Sequence, residues 1–458
     1  MIMNKLTSIH IKNFKFFKEE KIEIKNGKNL LVYGENGSGK SSFFTALKHA
    51  IYKITKTSYM ADEESFKNLE LTNENIDIQL MPNVLNAKYC YFINYQILQK
   101  IIESDNIFHV FQNDLNYEFE TIFNDIFSTI AEIKNKLPVA NEEVKVVQEL
   151  KERVNTKLKD LLNEIEKKSN EIINEFEEDF QINFIYEDLL LNVETRGIES
   201  FELPNIKLTI TKQMKTTSLV YLNEARSKTV SLAIYFALIK VSLQTALAPD
   251  IKLLVLDDFL LSFDMGNRSF IMKYVFENFQ NFQMFILTHN LLFYELVKKL
   301  YISRIQQKNW QEMKLYPRIN KDGIQEAKAY LQDTNYLDKA KNAINEANPD
   351  LDIAGNNTRK ALEKLVYEIV IFLEIGGIKL DDMIKSIRKK DTFSINGQAI
   401  NTATLNQVLQ DSQFYKDIAL NAMSHSNVND FYKKEINGAI KNIEEAFEVF
   451  KKVKSGEI

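Results

Sequence analysis

Apolar and polar residues alternate with two different periods along this chain, and the changes of period divide it into segments. Short alternating or continuous apolar runs, typical of strands, occur in residues 6–33, 76–80 and 89–94. Within the first run, the dipeptide Asn26-Gly27 predicts a tight turn between two strands. From about residue 113 to 181 the apolar positions recur at helical spacing. The pattern predicts a mixed α/β domain with a helical insertion.

The helical insertion is interrupted once, at Pro138 and Asn141, which mark a turn. Residues 142–180, beyond the turn, are highly charged and keep apolar residues at helical spacing. As one helix they would extend about 60 Å at 1.5 Å per residue. We therefore expect a short antiparallel helical hairpin inserted into the α/β domain.

Strand patterns return after the hairpin, at residues 182–195 and 206–212. A helix pattern with an almost charge-free interior follows a polar turn within residues 220–240. Two apolar strands, IKLLVLDDFLLSFD (251–264) and QMFILTHN (283–290), then end in carboxylates and a histidine. This order of elements predicts a sheet with polar side chains at the ends of its buried strands.

The last third of the chain has a different pattern. A weak strand at residues 313–319 is followed, from about residue 325, by helical spacing to the end of the chain. A polar loop near residues 391–402 interrupts these helices. We expect a separate helical C-terminal domain.

Composition limits the classes of protein that this chain can represent. With 458 residues it is long enough for two or three domains. The net charge of −5, from 58 basic and 63 acidic residues, excludes a global basic footprint for nucleic acid but leaves room for a local patch. Cys90 is the one cysteine, so the chain forms no internal disulfide, and a structural zinc site is not expected.

Neither a signal peptide nor a membrane span is expected. The N-terminus alternates charged and apolar residues and has no apolar signal-peptide core. The longest apolar run, near residues 229–239, is too short to cross a bilayer. We expect a cytoplasmic protein without a membrane partner.

The segment GENGSGKS, from Gly34 to Ser41, fits the pattern G-x-x-x-x-G-K-[ST] between an apolar strand and a helix. Glycines are needed because backbone N–H groups must converge on phosphate oxygens that side chains would obstruct. We expect Lys40 to reach the β- and γ-phosphates of ATP and Ser41 to offer its hydroxyl to Mg²⁺. The predicted nucleotide-binding residues of this loop are Gly34, Asn36, Gly37, Ser38, Gly39, Lys40, Ser41 and Ser42.

A second candidate for chemistry is the strand that delivers Asp257 and Asp258 to its carboxyl end. Two adjacent carboxylates at the end of a buried strand are costly unless a metal ion or a polarised water pairs with them. Beside a phosphate-binding loop, one such carboxylate can hold the shell of Mg²⁺. The sequence therefore predicts a magnesium-assisted nucleotide site.

The P-loop, LNEARS (222–227), LDDFLLSFD (256–264) and FILTHN (285–290) follow the order of motifs in ABC-class ATPase heads. IHIKNFKFFKEEKIEI (9–24) and the inserted hairpin resemble the SMC/RecF branch of that class. The resemblance covers about residues 1–300. It implies an α/β ABC-type ATPase head with an inserted short antiparallel helical hairpin, plus an all-α C-terminal domain.

The expected domain boundaries follow from this resemblance and from the pattern. The head is formed by residues 1–112, which contain the P-loop, and by residues 183–320, which contain the later motifs. The hairpin occupies residues 113–182, and the helical C-terminal domain occupies residues 321–458.

LNEARS lies where the resembled family places its signature, usually a Ser-Gly-Gly-rich turn before a helix that points at the γ-phosphate in the opposite subunit. The resemblance therefore implies a head-to-head homodimer with ATP between the heads. Asn223 is expected to cap the helix, and Arg226 or Ser227 to contact phosphate. Both signature glycines are absent, and Glu224 would repel a phosphate unless turned away. An ordinary N-capped core helix is the alternative.

The resemblance also assigns the remaining roles. Asp258 would be the acid that polarises the attacking water, and it is one methylene shorter than the glutamate of many members, which favours slow hydrolysis. Asp257 would hold Mg²⁺, and Gln96 is the candidate Mg²⁺-contacting glutamine. His289 would sense the γ-phosphate, and Asp264 would be the D-loop aspartate.

In this chain the ATPase motifs read LNEAR, LDDFLLSFDMGNR and THN, and these forms resemble the motifs of stand-alone ATPases of bacterial antiphage defence. These include the ATPase partners of the Septu and PARIS types and the ATPase–nuclease fusions of the anticodon-nuclease type. The resemblance implies a nucleotide-gated switch that controls a separate effector protein. A DNA-repair clamp of the RecF kind stays open, although RecF-like chains do not usually carry a separate helical C-terminal domain.

The C-terminal domain contains a weaker candidate site. Arg359 and Glu363 are four residues apart and share one helix face, and His425 follows on a second predicted helix. ATPase-fused anticodon nucleases use an Arg–Glu–His set with similar spacing. Such a set supplies the acid, base and cation that metal-free RNA cleavage requires. The alternative is a surface ion pair on a helical platform that docks the effector.

Overall fold

The chain forms two compact units in a computed structural model. The first contains Met1–Tyr294 and Met313–Tyr330, and the second contains Glu295–Glu312 and Leu331–Ile458. The structure describes residues 5–55, 76–82, 88–140, 144–194, 197–212, 215–218, 222–244, 251–303, 310–320, 323–331, 336–346, 348–376, 379–395, 398–416 and 433–457.

The strands up to residue 331 are β1 Ser8–Phe14, β2 Phe17–Glu23, β3 Asn29–Gly34, β4 Asp77–Met81, β5 Tyr89–Asn94, β6 Val139–Ala140, β7 Gln181–Glu187, β8 Leu190–Glu194, β9 Gly197–Glu202, β10 Asn205–Lys212, β11 Lys215–Ser218, β12 Lys252–Asp257, β13 Gln283–Thr288, β14 Trp310–Ile319 and β15 Gln325–Leu331. The helices in the same part of the chain are α1 Lys40–Thr55, α2 Tyr95–Glu103, α3 Ile107–Val110, α4 Glu120–Lys136, α5 Val144–Glu175, α6 Glu224–Ser242, α7 Met265–Asn278 and α8 Leu291–Ser303.

A six-stranded sheet in the order β15-β14-β3-β13-β12-β5 is the centre of the first unit. Strands β3, β13, β12 and β5 are parallel neighbours. The apolar runs of β12 and β13 are buried on both faces, as parallel sheets require. Because parallel strands end at one edge, Gly34, Asn94, Asp257 and Thr288 all lie at that edge. Asp257 is in register with Asn94 on one side and with Leu287 on the other.

Among its described residues, this unit also contains three smaller antiparallel sheets. Their strand orders are β2-β1-β4, β11-β10-β7 and β6-β9-β8. The predicted turn at Asn26-Gly27 connects β2 to β3, and both residues have left-handed backbone conformations, with φ of 54° and 61°. Asparagine and glycine are the residues that adopt this conformation most readily.

Helix α6 is buried on nearly all sides, as its charge-free interior predicted. It packs against α5 and α2. Its N-terminus is capped by Asn223, whose side-chain oxygen accepts a hydrogen bond from the Arg226 N–H at 2.9 Å. The capping predicted for Asn223 is therefore present.

The fully buried carboxylate of Glu118 connects α1, β5 and α6. It accepts hydrogen bonds from the Tyr52 hydroxyl at 2.6 Å, from the Phe92 N–H at 2.9 Å and from the Tyr235 hydroxyl. Its ionic partner is the Lys48 ammonium group, at 2.9 Å. A buried charge is tolerated when it is paired and hydrogen-bonded in this way.

The predicted hairpin is present as α4 and α5, which pack antiparallel. Asp125 of α4 pairs with both Arg153 and Lys157 of α5. Helix α5 has 32 residues and is therefore about 48 Å long, shorter than the predicted 60 Å. It stops because Glu177 has a left-handed backbone with φ of 58°, and β7 follows at once.

The second unit is mostly helical. Its elements beyond residue 331 are α9 Tyr336–Asn345, α10 Leu351–Phe372, α11 Leu380–Arg388, β16 Thr392–Ile395, β17 Gln398–Asn401, α12 Ala403–Tyr415 and α13 Lys433–Ser455. Helix α10 packs against α9, α11 and α13, and it supplies much of the buried apolar surface of this unit.

Two expectations for the last third of the chain were wrong in detail. Helices do not begin near residue 325, because β15 pairs with β14 and its Ala327 N–H donates to the Phe16 carbonyl at 2.7 Å. These tertiary hydrogen bonds outweigh the helix propensity of the sequence QEAKAYL. The expected loop near residues 391–402 contains the antiparallel hairpin β16–β17.

The predicted fold class is confirmed: the first unit is α/β with a parallel-rich sheet and an inserted helical hairpin, and the C-terminal region is mostly helical. Among the described helices, none has the length and apolar character needed to cross a membrane.

We predict that Glu118→Ala lowers the free energy of unfolding by about 3–5 kcal/mol, because it leaves Lys48 and three other donors without their shared acceptor. Glu118→Gln keeps one acceptor oxygen and should cost less. The measurement is the urea or thermal midpoint of the purified chain. The exposed Glu199→Gln is the matched control, and a Glu118→Ala midpoint equal to that of the control would contradict the role assigned to this carboxylate.

Candidate active site

The loop between β3 and α1 has a conformation that depends on its glycines. Gly37 and Gly39 have φ of +79° and +96°, a region that side chains strongly disfavour. A Cβ at Gly39 would lie 2.6 Å from the Cβ of Ala327. A Cβ at Gly34 would lie 2.3 Å from the hydroxyl oxygen of Ser38. Both conformation and space therefore exclude larger residues from this loop.

Lys40 begins α1 and is buried by the loop that precedes it. Its ammonium group donates to the carbonyl oxygen of Gly34 at 2.6 Å and to that of Glu35 at 3.1 Å. Burial lowers the pKa of Lys40, and the nearby carboxylates of Asp258 and Asp257 oppose this effect. The lysine therefore lies between the loop and the acidic edge of the sheet.

The other residues predicted in the loop differ in exposure. Asn36 and Gly37 are exposed, whereas the Ser38 hydroxyl is buried without a hydrogen-bond partner among the described residues. Ser41 is exposed in the first turn of α1, and Ser42 is half-buried beside it. The helix N-terminus and the Ser41 hydroxyl are thus open to a ligand, as a phosphate site requires.

Asp257 is the last residue of β12, and only 7% of it is exposed. Its Oδ1 atom has no hydrogen-bond partner within the described part of the chain. Burial, reinforced by the charge of Asp258 and opposed by that of Lys40, raises the pKa of Asp257 to about 7. A buried carboxylate with an unpaired oxygen costs free energy that a cation would recover.

These features fit Mg²⁺. Ser41 and Asp257 offer the hard oxygen ligands that this ion prefers. The described residues contain no cluster of three or more His, Cys, Asp or Glu side chains suited to a metal ion. A site with few protein ligands is usual for Mg²⁺, which retains waters and binds substrate phosphates.

Asp258 and His289 are brought together across neighbouring strands. The Asp258 carboxylate accepts a hydrogen bond from the His289 backbone N–H at 3.1 Å, and its other oxygen lies 2.7 Å from His289 Nδ1. Since a carboxylate only accepts, Nδ1 carries the proton and Nε2 is left for another partner. The backbone of Asp258 has φ of +44°, a strained conformation common at functional sites.

Asp264 caps α7, because its carboxylate accepts a hydrogen bond from the Asn267 N–H at 2.8 Å. The segment before it is held by Arg268, a buried residue whose role sequence reasoning missed. The Arg268 guanidinium donates to the carbonyl oxygens of Phe263 at 2.7 Å and Leu261 at 2.9 Å. In the sequence, the only indication of this contact was the closeness of Arg268 to Asp264 along the chain.

The remaining residues of the predicted signature lie at the start of α6. Arg226 pairs with Glu178 and Asp179, each at 3.1 Å, and its guanidinium lies over the ring of Phe180. Ser227 is half-buried, and its N–H donates to the Asn223 carbonyl. Within one chain, Arg226 therefore connects α6 to the segment that follows α5.

Gln96 is exposed in the first turn of α2. It follows Asn94, which ends β5 opposite Asp257 and caps α2 by accepting from the Ile97 N–H at 2.9 Å. This topology brings Gln96 to the same edge of the sheet as the two adjacent aspartates.

Of the three C-terminal candidates, the structure describes Arg359 and Glu363. Arg359 Nε lies 3.0 Å from Glu363 Oε1 on α10, in a half-exposed pair one helical turn apart. His425 lies outside the described residues.

Residues 8–215 match the family model AAA_23, described as an AAA domain. The matched segment contains the P-loop, whose geometry is described above. The match supports an ATPase domain in this part of the chain. A search of curated protein sequences finds no match.

The chain is also similar to several solved structures. ATP-bound RecF, the recombination mediator protein of the RecFOR pathway, is 16% identical, with a TM-score of 0.43 over 70% of this chain and 97% of that chain. The Smc head bound to the C-winged helix domain of ScpA is 13% identical, with a TM-score of 0.39 over 72% and 98%. A head from Pyrococcus furiosus with an extended coiled coil is 12% identical, with a TM-score of 0.40 over 74% and 98%.

We predict that Asp258→Asn retains ATP binding but lowers the rate of ATP hydrolysis at least about 100-fold, the contribution typical of one acid–base group. Asparagine tolerates the left-handed backbone at this position, so the fold should persist. ATP binding is measured by titration calorimetry and turnover by phosphate release, with the α5 variant Asp160→Asn as control. Turnover equal to that of the control would move the catalytic group elsewhere.

Proposed function

We propose that this protein is an SMC/RecF-like ABC ATPase that acts as a nucleotide-gated homodimeric switch in bacterial antiphage defence. It binds ATP, hydrolyses it slowly and controls a separate effector protein in the cytoplasm. The observation that carries the ATPase part is the convergence of Lys40, Asp257, Asp258 and His289 at one edge of the sheet. The defence role rests on the resemblance of the motifs described above.

The P-loop binds the phosphates of ATP through its backbone N–H groups and the ammonium group of Lys40. When bound, Mg²⁺ supplies positive charge that offsets the charge developing on the phosphates, and Ser41, Asp257 and Gln96 would hold it. Burial of Lys40 and Asp257 strengthens these electrostatic interactions, because the local dielectric constant is lower than that of water.

Asp258 orients the attacking water and accepts its proton as the bond from water oxygen to the γ-phosphorus forms and the β–γ bridging bond breaks. His289 is held by Asp258 through Nδ1, which leaves Nε2 for the γ-phosphate. The Asp258 side chain is short and already engaged with His289, and both features favour slow turnover. A slow ATPase suits a switch, because the ATP-bound state persists.

The dimer would place the N-terminus of α6 from one subunit against ATP held by the other. Asn223 and Glu224 are exposed at that N-terminus, which is consistent with an intermolecular role. Helix α8 begins two residues after His289. The effector would dock on the C-terminal region.

Two alternatives remain as outcomes of the tests. The C-terminal region would be an RNase if Arg359, Glu363 and His425 acted together, but the half-exposed Arg359–Glu363 pair is also an ordinary helix ion pair and favours the docking role. A RecF-like repair clamp would require ATP-dependent binding of DNA.

We predict that a verified heterodimer of Lys40→Ala and Arg226→Ala chains regains about half of the wild-type ATPase rate per dimer, since one of its two composite sites is intact. Each homodimer should be inactive. Arg226→Ala is preferred to a glutamate variant, because Glu178 and Asp179 would repel a new carboxylate. The readout is phosphate release by the purified heterodimer. No regain of activity would contradict the head-to-head arrangement or the role of Arg226.

We predict that His425→Ala leaves ATP hydrolysis and phage protection unchanged, because the C-terminal region docks an effector. The RNase alternative expects the opposite: loss of RNA cleavage and of protection with full ATPase activity. RNA cleavage and phage protection are measured in cells that carry the chain with its neighbouring genes. Lys40→Ala should abolish protection in the same assay. Protection that survives Lys40→Ala would contradict the nucleotide-gated switch.

A further inference from the structure

Glu224 replaces a glycine of the resembled signature, and its carboxylate contacts two other segments of the head. The Tyr95 hydroxyl donates to Glu224 Oε1 at 3.2 Å, and the Ser262 hydroxyl donates to the same oxygen. The hydrogen bond from Ser262, followed by that from Tyr95, lowers the pKa of Glu224. The carboxylate is therefore ionised and directed toward neighbours in its own chain.

Lys228, one turn further along α6, supports the same arrangement. It is only 3% exposed, and its ammonium group has no hydrogen-bond partner among the described residues. It lies 3.7 Å from the centroid of the Tyr95 ring, a cation–π contact that fixes the ring beneath Glu224. Tyr95 is thus held at its hydroxyl by Glu224 and at its face by Lys228.

The two hydroxyl donors belong to segments that already carry candidate roles. Tyr95 directly precedes Gln96, the candidate Mg²⁺-contacting residue, in the first turn of α2. Ser262 lies between Asp258 and Asp264, in the segment whose carbonyl oxygens Arg268 binds. The Glu224 carboxylate therefore connects three parts of the head: the predicted signature turn, helix α2 with Gln96, and the segment from Asp258 to Asp264.

We propose that Glu224 is a positioning residue for ATP hydrolysis, which holds these three segments in one arrangement through Tyr95 and Ser262. The proposal rests on the ATPase function proposed above and adds to it a residue that replaces the missing signature glycine. A glutamate in the first turn also stabilises a helix through its dipole. If Glu224 acted only through the helix dipole, loss of the Tyr95 or Ser262 hydroxyl would leave ATP hydrolysis unchanged. If Glu224 is a positioning residue, loss of either hydroxyl lowers the rate.

The experiment measures kcat and KM for ATP in Tyr95→Phe, Ser262→Ala, Ser262→Thr and Glu224→Ala. We expect Tyr95→Phe and Ser262→Ala each to lower kcat about fivefold, the effect of one lost hydrogen bond. Ser262→Thr, which keeps the hydroxyl, should restore the rate. KM should stay unchanged because the P-loop is intact. Tyr330→Phe and Ser128→Ala are exposed controls that remove the same groups elsewhere.

A double variant separates a positioning role from two independent effects. Because both hydroxyls act through Glu224, adding Tyr95→Phe to Glu224→Ala should cause no further loss of kcat. The thermal midpoint should match that of the controls, since the contacts are at the surface. Glu224→Gln, which keeps an acceptor oxygen, should lose less activity than Glu224→Ala.

The outcomes distinguish failure of the inference from failure of the proposed function. Wild-type protein without Lys40-dependent ATP hydrolysis would overturn both. If the wild-type protein hydrolyses ATP, the inference alone is overturned by variants that match the controls, by losses of kcat that follow losses of thermal stability, or by a double variant whose loss is the product of the two single losses.

Discussion

The buried carboxylate of Glu118 is the interaction on which the arrangement of the head depends. Its partners come from the helix that follows the P-loop, from the edge strand β5 and from α6. A charge without exposure to water requires that all of these donors stay in place. The helix that follows the predicted phosphate-binding loop and the helix that follows the predicted signature turn are therefore both connected to β5 through one carboxylate.

The candidate active site also contains buried charge, but there the described residues do not compensate it fully. At the carboxyl edge of the sheet, Asp257 is buried with an oxygen that has no hydrogen-bond partner among the described residues, and Asp258 has a strained backbone. Lys40 is present in the same region but binds loop carbonyls. Glu118 is fully satisfied and supports the fold, whereas this edge keeps unsatisfied charge that a nucleotide and a cation would compensate. The difference separates structural from functional buried charge.

Much of the site could be predicted because its signals are local. A glycine-rich loop between a strand and a helix, and two carboxylates after an apolar run, occupy a few consecutive residues each. The contributions of Arg268, Glu118 and Tyr95 could not be predicted, because each acts through partners that lie elsewhere in the chain or are backbone atoms. The β16–β17 hairpin was missed although Asn396-Gly397 is a strong turn signal, because polar strands resemble loops in sequence.

The sequence by itself determined the order of most elements, the apolar strands with polar ends, the P-loop and the buried character of α6, since these follow from periodicity and from local conformations that favour glycine. The tertiary structure decided the length of α5, the extended conformation of β15, the partners of Arg226 and the direction in which Glu224 binds. The end of α5 depends on the left-handed backbone at Glu177. The other three depend on hydrogen bonds or ion pairs between segments that are distant in sequence, and such contacts can outweigh local propensity.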